Sequence, residues 1–319
     1  MNIGTKVMKP FTNEYDERNS KMFEGQLVEH LTSWLTINPY KGCSLGCSYC
    51  FRVRWYPSSK PKKVHNTQEA VEALIQHPDF VPNETPLSIN NSSTDCLLPE
   101  VKHSTFEAIQ ALDSKCLANP FVLITKLHFD EDEIRYLSQL KYLKIIIFVS
   151  LSFLPRHIEP TLNNHRIKTI KMLSHAKIPC VIYYRPIIMT LNDSDSTIKK
   201  VLTIGQRYCE AVCIGPLKMS TEISEQLNIR GINIEAYHGA NNANLIAHEI
   251  ESKILEVHKK YDLHVPVFKH SSCALSLILK SPNYNFLFKN PQRNCLVTCP
   301  EVQRKICQPL TSKRKMSHG

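Results

Sequence analysis

The sequence predicts an α/β fold: a partial (β/α)6 barrel of the TIM type, followed by a cysteine-containing C-terminal extension. Three observations predict it. Six short, β-branched runs alternate with helical patterns between residues 33 and 261. The runs are apolar and bounded by Pro, Asn or Gly, as strands buried on both faces are. A series of strand–helix units implies parallel pairing with right-handed crossovers.

The strands come in the order "WLTINPY" (34–40), "PLSINN" (86–91), "FVLITKL" (121–127), "KIIIFVSLS" (144–152), "CVIYYRPII" (180–188) and "EAVCIGPL" (210–217). Between and after them lie the helical stretches 67–77, 104–115, 131–142, 164–176, 195–208 and 242–261. Ser104 before Thr105 reads as an N-cap, and the acidic run Glu131–Glu133 as a first helical turn. In the last helix Ile246, Ile250, Ile254 and Val257 share one face. The organisation is then an extension at 1–32, the barrel at 33–261, and a proline- and cysteine-rich segment at 262–319 that forms a tail or small subdomain.

The chain has 319 residues, 42% of them hydrophobic, enough to bury a core. No apolar run approaches the ~20 residues of a membrane span. The N-terminus lacks the apolar region of a secretory signal. A cytoplasmic protein without membrane association is the expectation. In a reducing compartment twelve cysteines do not imply disulfides; clustered ones point to metal or catalysis. Cys96, Cys116 and Cys180 stand alone and read first as small buried apolar residues. Cys209 and Cys213 read as buried thiols or as a pair near a site. The net charge of +10 allows a polyanionic partner. Neither phosphate-loop nor dinucleotide-binding glycine motifs occur.

The informative stretch is "NPYKGCSLGCSYCFRVRW" (38–55). It places Cys43, Cys47 and Cys50 in the loop after the first barrel strand, and in such barrels chemistry sits at the C-terminal strand ends. Three thiolates so close together suit zinc or an iron–sulfur cluster. No fourth cysteine or histidine follows before His65, which argues against a closed zinc site. A [4Fe–4S] cluster held by three cysteines leaves one iron open.

C-x3-C-x2-C with an aromatic residue before the third cysteine, in this loop of a (β/α)6 chain, resembles the radical SAM superfamily. The stretch is most similar to the branch that includes spore photoproduct lyase and the DNA repair photolyase-like proteins. Looser matches follow in "TDCLLPE" (94–100), "LITK" (123–126), "SLSFLPRHIEP" (150–160) and "YYRPIIMTLNDS" (183–194). The resemblance implies that Cys43, Cys47 and Cys50 ligate three irons and that S-adenosylmethionine binds the fourth. Reductive cleavage then yields a 5′-deoxyadenosyl radical, which abstracts hydrogen from a substrate: a nucleotide, a peptide or a small metabolite. An electron donor such as flavodoxin or ferredoxin is implied as partner. Tyr49 would lie near the adenine.

Polar groups at later strand ends are the candidates for holding the cosubstrate: Ser92, Asp95 and Glu100 after the second strand, Lys126 on the third, Ser150 on the fourth and Arg185 on the fifth. Lys126 and Arg185 sit in apolar runs, where a charge must reach water or meet an anion. The lyase has a cysteine hydrogen donor just before its counterpart of the "STD" segment. Ser92 stands there in this chain, so Cys96 is the catalytic candidate from a shifted position. Two other readings stay open: a nucleic-acid repair or modification enzyme, served by Arg52, Arg54, Lys60, Lys62 and Lys63 with Trp55 and Tyr56 between, and a zinc-stabilised nucleic-acid-binding protein. Cys273, Cys295, Cys299 and Cys307 could ligate a second metal centre, an auxiliary [4Fe–4S] cluster or structural zinc, or could be unligated thiols. His238 and His270 read as packed or surface histidines.

Overall fold

The computed structural model describes residues 27–31, 33–54, 60–232, 240–284 and 298–307. Its main sheet has eight strands: β1 (Val28–His30), β2 (Leu35–Ile37), β5 (Leu87–Ile89), β6 (Pro120–Thr125), β7 (Lys144–Ser150), β8 (Cys180–Ile187), β9 (Ala211–Pro216) and β10 (Val267–Phe268), in that spatial order. β1 pairs antiparallel to β2, and every later pair is parallel. β3 (Tyr40–Lys41) and β4 (Lys62–Lys63) form a separate antiparallel ribbon. All six expected barrel strands are present, in chain order across the sheet. β1 and β10 extend it from either side of the 33–261 segment.

Helices α1 (Thr67–Ile75), α2 (Pro99–Ser114), α3 (Glu131–Ser138), α4 (Asn163–His175), α5 (Asp195–Tyr208), α6 (Thr221–Ile229) and α7 (Ala240–Lys260) connect or follow the strands, and α8 (Ser271–Leu279) follows β10. The acidic start of α3 is an N-terminus as expected. Asp130 accepts from the Glu133 amide while the Glu133 side chain accepts from the Asp130 amide, a reciprocal capping box. The start of α2 differs from the expectation. The helix begins at Pro99, whose missing N–H costs nothing in a first turn. Ser104 therefore sits mid-helix, buried, with its hydroxyl 2.7 Å from that of Thr67 on α1. α6 was not anticipated; Ser220 caps it through the Ile223 amide.

Period-two alternation along the strands builds two apolar layers. Phe121, Leu123, Ile145, Ile147, Ile182, Tyr184 and Val212 pack in one layer with Leu74, Ile109, Leu112, Leu137, Ile170, Leu173, Val201 and Ile254 of the helices. Val122, Ile146, Phe148, Val181, Ala211 and Cys213 face the other way, where Trp34, Phe268, Ala274, Leu275 and Cys299 meet them. The Trp34, Phe148 and Tyr183 rings stack edge to face on this second layer, at 6.0 and 5.7 Å between centroids. The hydroxyls of Tyr183 and Ser271 lie 3.0 Å apart, tying α8 across it. Cys180 is buried as expected; Cys116 is exposed, in a left-handed turn after α2. No helix among the described residues is long and apolar enough to cross a membrane.

Candidate cofactor site at the strand mouth

After β3 the chain turns back over the C-terminal ends of the parallel strands. Gly42 (φ 91°) and Gly46 (φ 67°) adopt left-handed conformations that would strain any other residue. Between and after them come Cys43, Cys47 and Cys50, followed by a short helical turn at Phe51–Arg54. The loop is pinned at several points. The Ser48 amide donates to the Ile158 carbonyl at 3.0 Å. Arg52 donates through Nε to the Ser92 carbonyl at 2.6 Å and through Nη2 to the Asn91 carbonyl at 3.0 Å. The loop after β7 and the loop after β5 thus hold the cysteines from two sides.

The three thiols feel one another. Burial pushes Cys43 upward, and pushes Cys47 up to about 12; the neighbouring thiols add to both shifts. The opposing influences are the Leu45 backbone hydrogen bond and then Arg52 for the Cys43 thiolate, and Lys126 for the Cys47 thiolate. Without a metal the burial keeps these groups as neutral thiols; thiolates here would need cations bound to them. Among the described residues no three His, Cys, Asp or Glu side chains converge on a point suited to one metal ion. Three thiols on one loop are the donor type that an iron–sulfur centre takes.

Behind the cysteines lies a buried ionic knot. Glu159, with no exposed side-chain surface, pairs with the equally buried Arg166 at 2.5 Å and with Lys126 at 3.2 Å. It also accepts from Ser152 Oγ at 2.7 Å and from the Tyr49 hydroxyl. Burial raises the Glu159 carboxyl, while Arg166 pulls it back toward the ionised form. Arg166 continues to the Ser150 carbonyl at 2.7 Å and to Asn163 at 2.7 Å. Lys126 donates to Ser150 Oγ at 2.7 Å, and its ammonium sits 5.3 Å from the centroid of the Tyr49 ring. Burial lowers the Lys126 ammonium, and the Cys47 thiol counters that. One carboxylate therefore joins the cysteine loop, the ends of β6 and β7, and α4.

The structure gathers Tyr49, Lys126 and Ser150 into this knot. Asp95 lies beside it. Its carboxylate accepts from Thr125 Oγ1 (2.8 Å), the Leu97 amide (3.0 Å) and the Lys126 amide (2.7 Å), so it clamps the end of β6. Ser92 donates to Glu29 of β1 at 2.6 Å, a contact that braces the loop Arg52 holds. Arg185 lies elsewhere, on the second layer: Nη1 donates to the Tyr183 hydroxyl at 2.9 Å, and the guanidinium occupies the space a side chain at Gly215 would need. Glu100 is exposed in the first turn of α2. Cys96 is packed in the helix-facing layer, its thiol 3.5 Å from the Ile124 carbonyl, apart from the knot. Cys213 is buried on the second layer against the His270 carbonyl, and Cys209 is half-buried. Cys295, His238, Trp55 and Tyr56 lie outside the described residues.

Sequence reasoning missed Glu159, Arg166 and the bracing role of Arg52. Glu159 stands inside the "SLSFLPRHIEP" match, and a carboxylate between Ile158 and Pro160 was the available signal. Arg166 had none, because an arginine in the first turns of a helix usually faces water.

No family model matches the sequence, and no curated protein matches it. Solved structures do. The chain is similar to a mutant spore photoproduct lyase with dinucleoside spore photoproduct, with a TM-score of 0.52 and 10% identity over 70% of this chain and 72% of that one. It is similar to Streptococcus suis SuiB bound to S-adenosylmethionine (TM-score 0.50, 12% identity, 81% of this chain and 56% of that one) and to SuiB bound to precursor peptide SuiA (TM-score 0.51, 12% identity, 88% and 59%). The chain thus spans under three fifths of SuiB. These proteins are radical SAM enzymes, and their partial α/β barrel is the fold of this chain.

Proposed function

We propose that the chain is a radical SAM enzyme in which Cys43, Cys47 and Cys50 hold a [4Fe–4S] cluster. The observation that carries this is the position of the three thiols: on one glycine-shaped loop, over the strand mouth of this fold, with Arg52 and Lys126 facing them. When bound and singly reduced, the cluster would supply the electron that splits S-adenosylmethionine into methionine and a 5′-deoxyadenosyl radical, which takes a hydrogen atom from the substrate. The chain's own residues bind and orient. Lys126, braced by Ser150 and Glu159, presents an ammonium for the cosubstrate carboxylate. Tyr49, fixed by its hydroxyl on Glu159, presents a ring face beside that ammonium. Thr94 Oγ1, buried without a partner among the described residues, offers a further polar contact at the same mouth. The knot around Glu159 keeps these groups from moving and keeps water from filling the space behind them. A reductant such as flavodoxin or ferredoxin would deliver the electron.

Anaerobic reconstitution with iron and sulfide, followed by dithionite and S-adenosylmethionine, tests the reading. The expected product is 5′-deoxyadenosine, lost when Cys43, Cys47 and Cys50 are replaced by Ala. A colourless protein that binds zinc and leaves S-adenosylmethionine intact would overturn it.

The β3–β4 ribbon favours one substrate class. It carries Lys62 and Lys63, both exposed, and Lys41 on the strand that leads into the cysteine loop. Three lysines beside the site suit a phosphate backbone, and the lyase with a similar fold has been seen with a dinucleoside photoproduct. A nucleic-acid substrate would make 5′-deoxyadenosine formation depend on added DNA or RNA and fall with salt.

A further inference from the structure

β1 lies outside the six-strand barrel, yet its central residue is a buried acid. Glu29 pairs in register with Thr36 of β2, and only 4% of it is exposed. A carboxylate taken out of water is costly unless charge and hydrogen bonds replace the water. Ser92 Oγ donates to Glu29 Oε2 at 2.6 Å. Burial raises the Glu29 carboxyl; the Ser92 and Asn38 side chains and the charges of Lys41 and Arg52 draw it back toward the ionised form.

Ser92 joins this acid to the cysteine loop. Its hydroxyl serves Glu29, and its carbonyl accepts from Arg52 Nε at 2.6 Å, while the Asn91 carbonyl accepts from Arg52 Nη2 at 3.0 Å. Arg52 is buried, and both acceptors are neutral. A guanidinium stays charged at any ordinary pH, so this charge is balanced at longer range. Glu29 and Cys43 are the groups that respond to it. On Cys43, after burial and the Leu45 backbone hydrogen bond, Arg52 is the next influence and exceeds the opposing Asp95. Lys126 differs, because Glu159 pairs with it directly at 3.2 Å.

We propose that Arg52 and Glu29 set the reduction potential of the centre held by Cys43, Cys47 and Cys50. This rests on the reading of that centre as a [4Fe–4S] cluster. Arg52 supplies a fixed positive charge beside the loop. Glu29, from a strand outside the barrel, offsets part of that charge and holds the Ser92 segment on which Arg52 rests. Reduction adds one negative charge to the centre, so a nearby cation favours the reduced form and a nearby anion opposes it. Both residues act through the field and the loop; neither needs to touch the cosubstrate.

The test is a potentiometric titration of the reconstituted full chain, followed by the electron paramagnetic resonance signal of the reduced cluster, without S-adenosylmethionine. Arg52→Met should lower the reduced-to-oxidised ratio at a given potential about tenfold, a shift of about 59 mV to more negative values for a one-electron couple. Arg52→Lys keeps the charge and should stay near the wild type. Glu29→Gln still accepts from Ser92 but loses the charge, and should raise the ratio about two- to threefold. Opposite signs from two variants with the wild-type iron content are a result that simple loosening of the loop does not produce. Should Arg52→Met assemble no cluster, Glu29→Gln carries the test alone. The proposal is overturned if the potential is unmoved in Glu29→Gln, or if both variants shift it the same way. A wild type that assembles no cluster would sink the proposed function as well; a wild-type cluster whose potential ignores these charges would sink this inference alone.

Discussion

Two sets of three cysteines sit in this molecule, and their surroundings differ in kind. The first set lies on eight consecutive residues, faces two cations and rests on a buried carboxylate with its own arginine. The second, Cys273, Cys299 and Cys307, is assembled from segments far apart in sequence and lines a small cavity with Asn283, Gln303 and Arg304. A lysine braced by a buried carboxylate can orient a charged cosubstrate; among the described residues no carboxylate lines the second cavity. The difference favours the strand mouth over the cavity beside α8 as the place for the proposed cosubstrate.

The sharpest way to break that assignment is Cys47→Ala. Cys47 is the most buried of the first set and the one Lys126 faces. Formation of 5′-deoxyadenosine should drop to background, while Cys307→Ala leaves most of it. Equal losses from the two variants would mean that the regions are not divided as described.

Next in size is the ionic knot. Glu159→Ala leaves Arg166 buried without its carboxylate, and removing one partner of a buried pair costs about 3–5 kcal/mol. Urea denaturation should show a loss of that order, with Glu159→Gln losing less because the amide oxygen still accepts from Arg166. A loss below about 1 kcal/mol for the alanine variant would mean that the knot opens to water. Among the described residues no carboxylate lines the C-terminal cavity, so Cys307→Ala should cost under about 1 kcal/mol.

Lys126→Met separates binding from folding at the same place. Glu159 keeps Arg166, so the chain should stay folded. The site loses the ammonium braced by Ser150, and a hydrogen bond to a charged group contributes about 1.5–3 kcal/mol, or about 10- to 150-fold in affinity. Equilibrium binding of S-adenosylmethionine to the reconstituted protein should weaken by that factor. Unchanged affinity would move the cosubstrate away from Lys126.

How much of this could be read from the chain follows from distance along it. The six barrel strands were legible because each carries its own signal, a short apolar run such as Lys144–Ser150 closed by turn residues. The cysteine loop was legible because all three ligands lie within eight positions. Short partners were not: β10 is two residues long, and nothing local marks Val267 as a strand. Glu159 was hidden because its meaning lies with Tyr49, 110 positions away. Ser104 misled because a good cap residue before an apolar pattern looks the same whether or not a proline has already begun the helix.

Arg185 lies between the two regions, and its test is the smallest in effect and the most discriminating. Its charge reaches both Cys213 and His270, and its Nη1 bond to Tyr183 leads to Ser271 at the start of α8. A Cβ at position 215 would lie 2.3 Å from Arg185 Nε. Gly215 has no left-handed backbone to defend, so Gly215→Ala asks only that a flexible side chain move. The cost in stability should be under about 1 kcal/mol. Displacing the guanidinium weakens its hydrogen bond to Tyr183 without removing the charge, and losing about half of a charged hydrogen bond's roughly 1.5–3 kcal/mol would lower a function that depends on the present position of Arg185 by about 3- to 12-fold. Turnover of S-adenosylmethionine, measured beside the melting curve, reads both quantities. Reduced turnover with a steady melting curve places Arg185 in the service of the strand mouth. A lowered melting temperature with full turnover would make it a strut between β8 and α8.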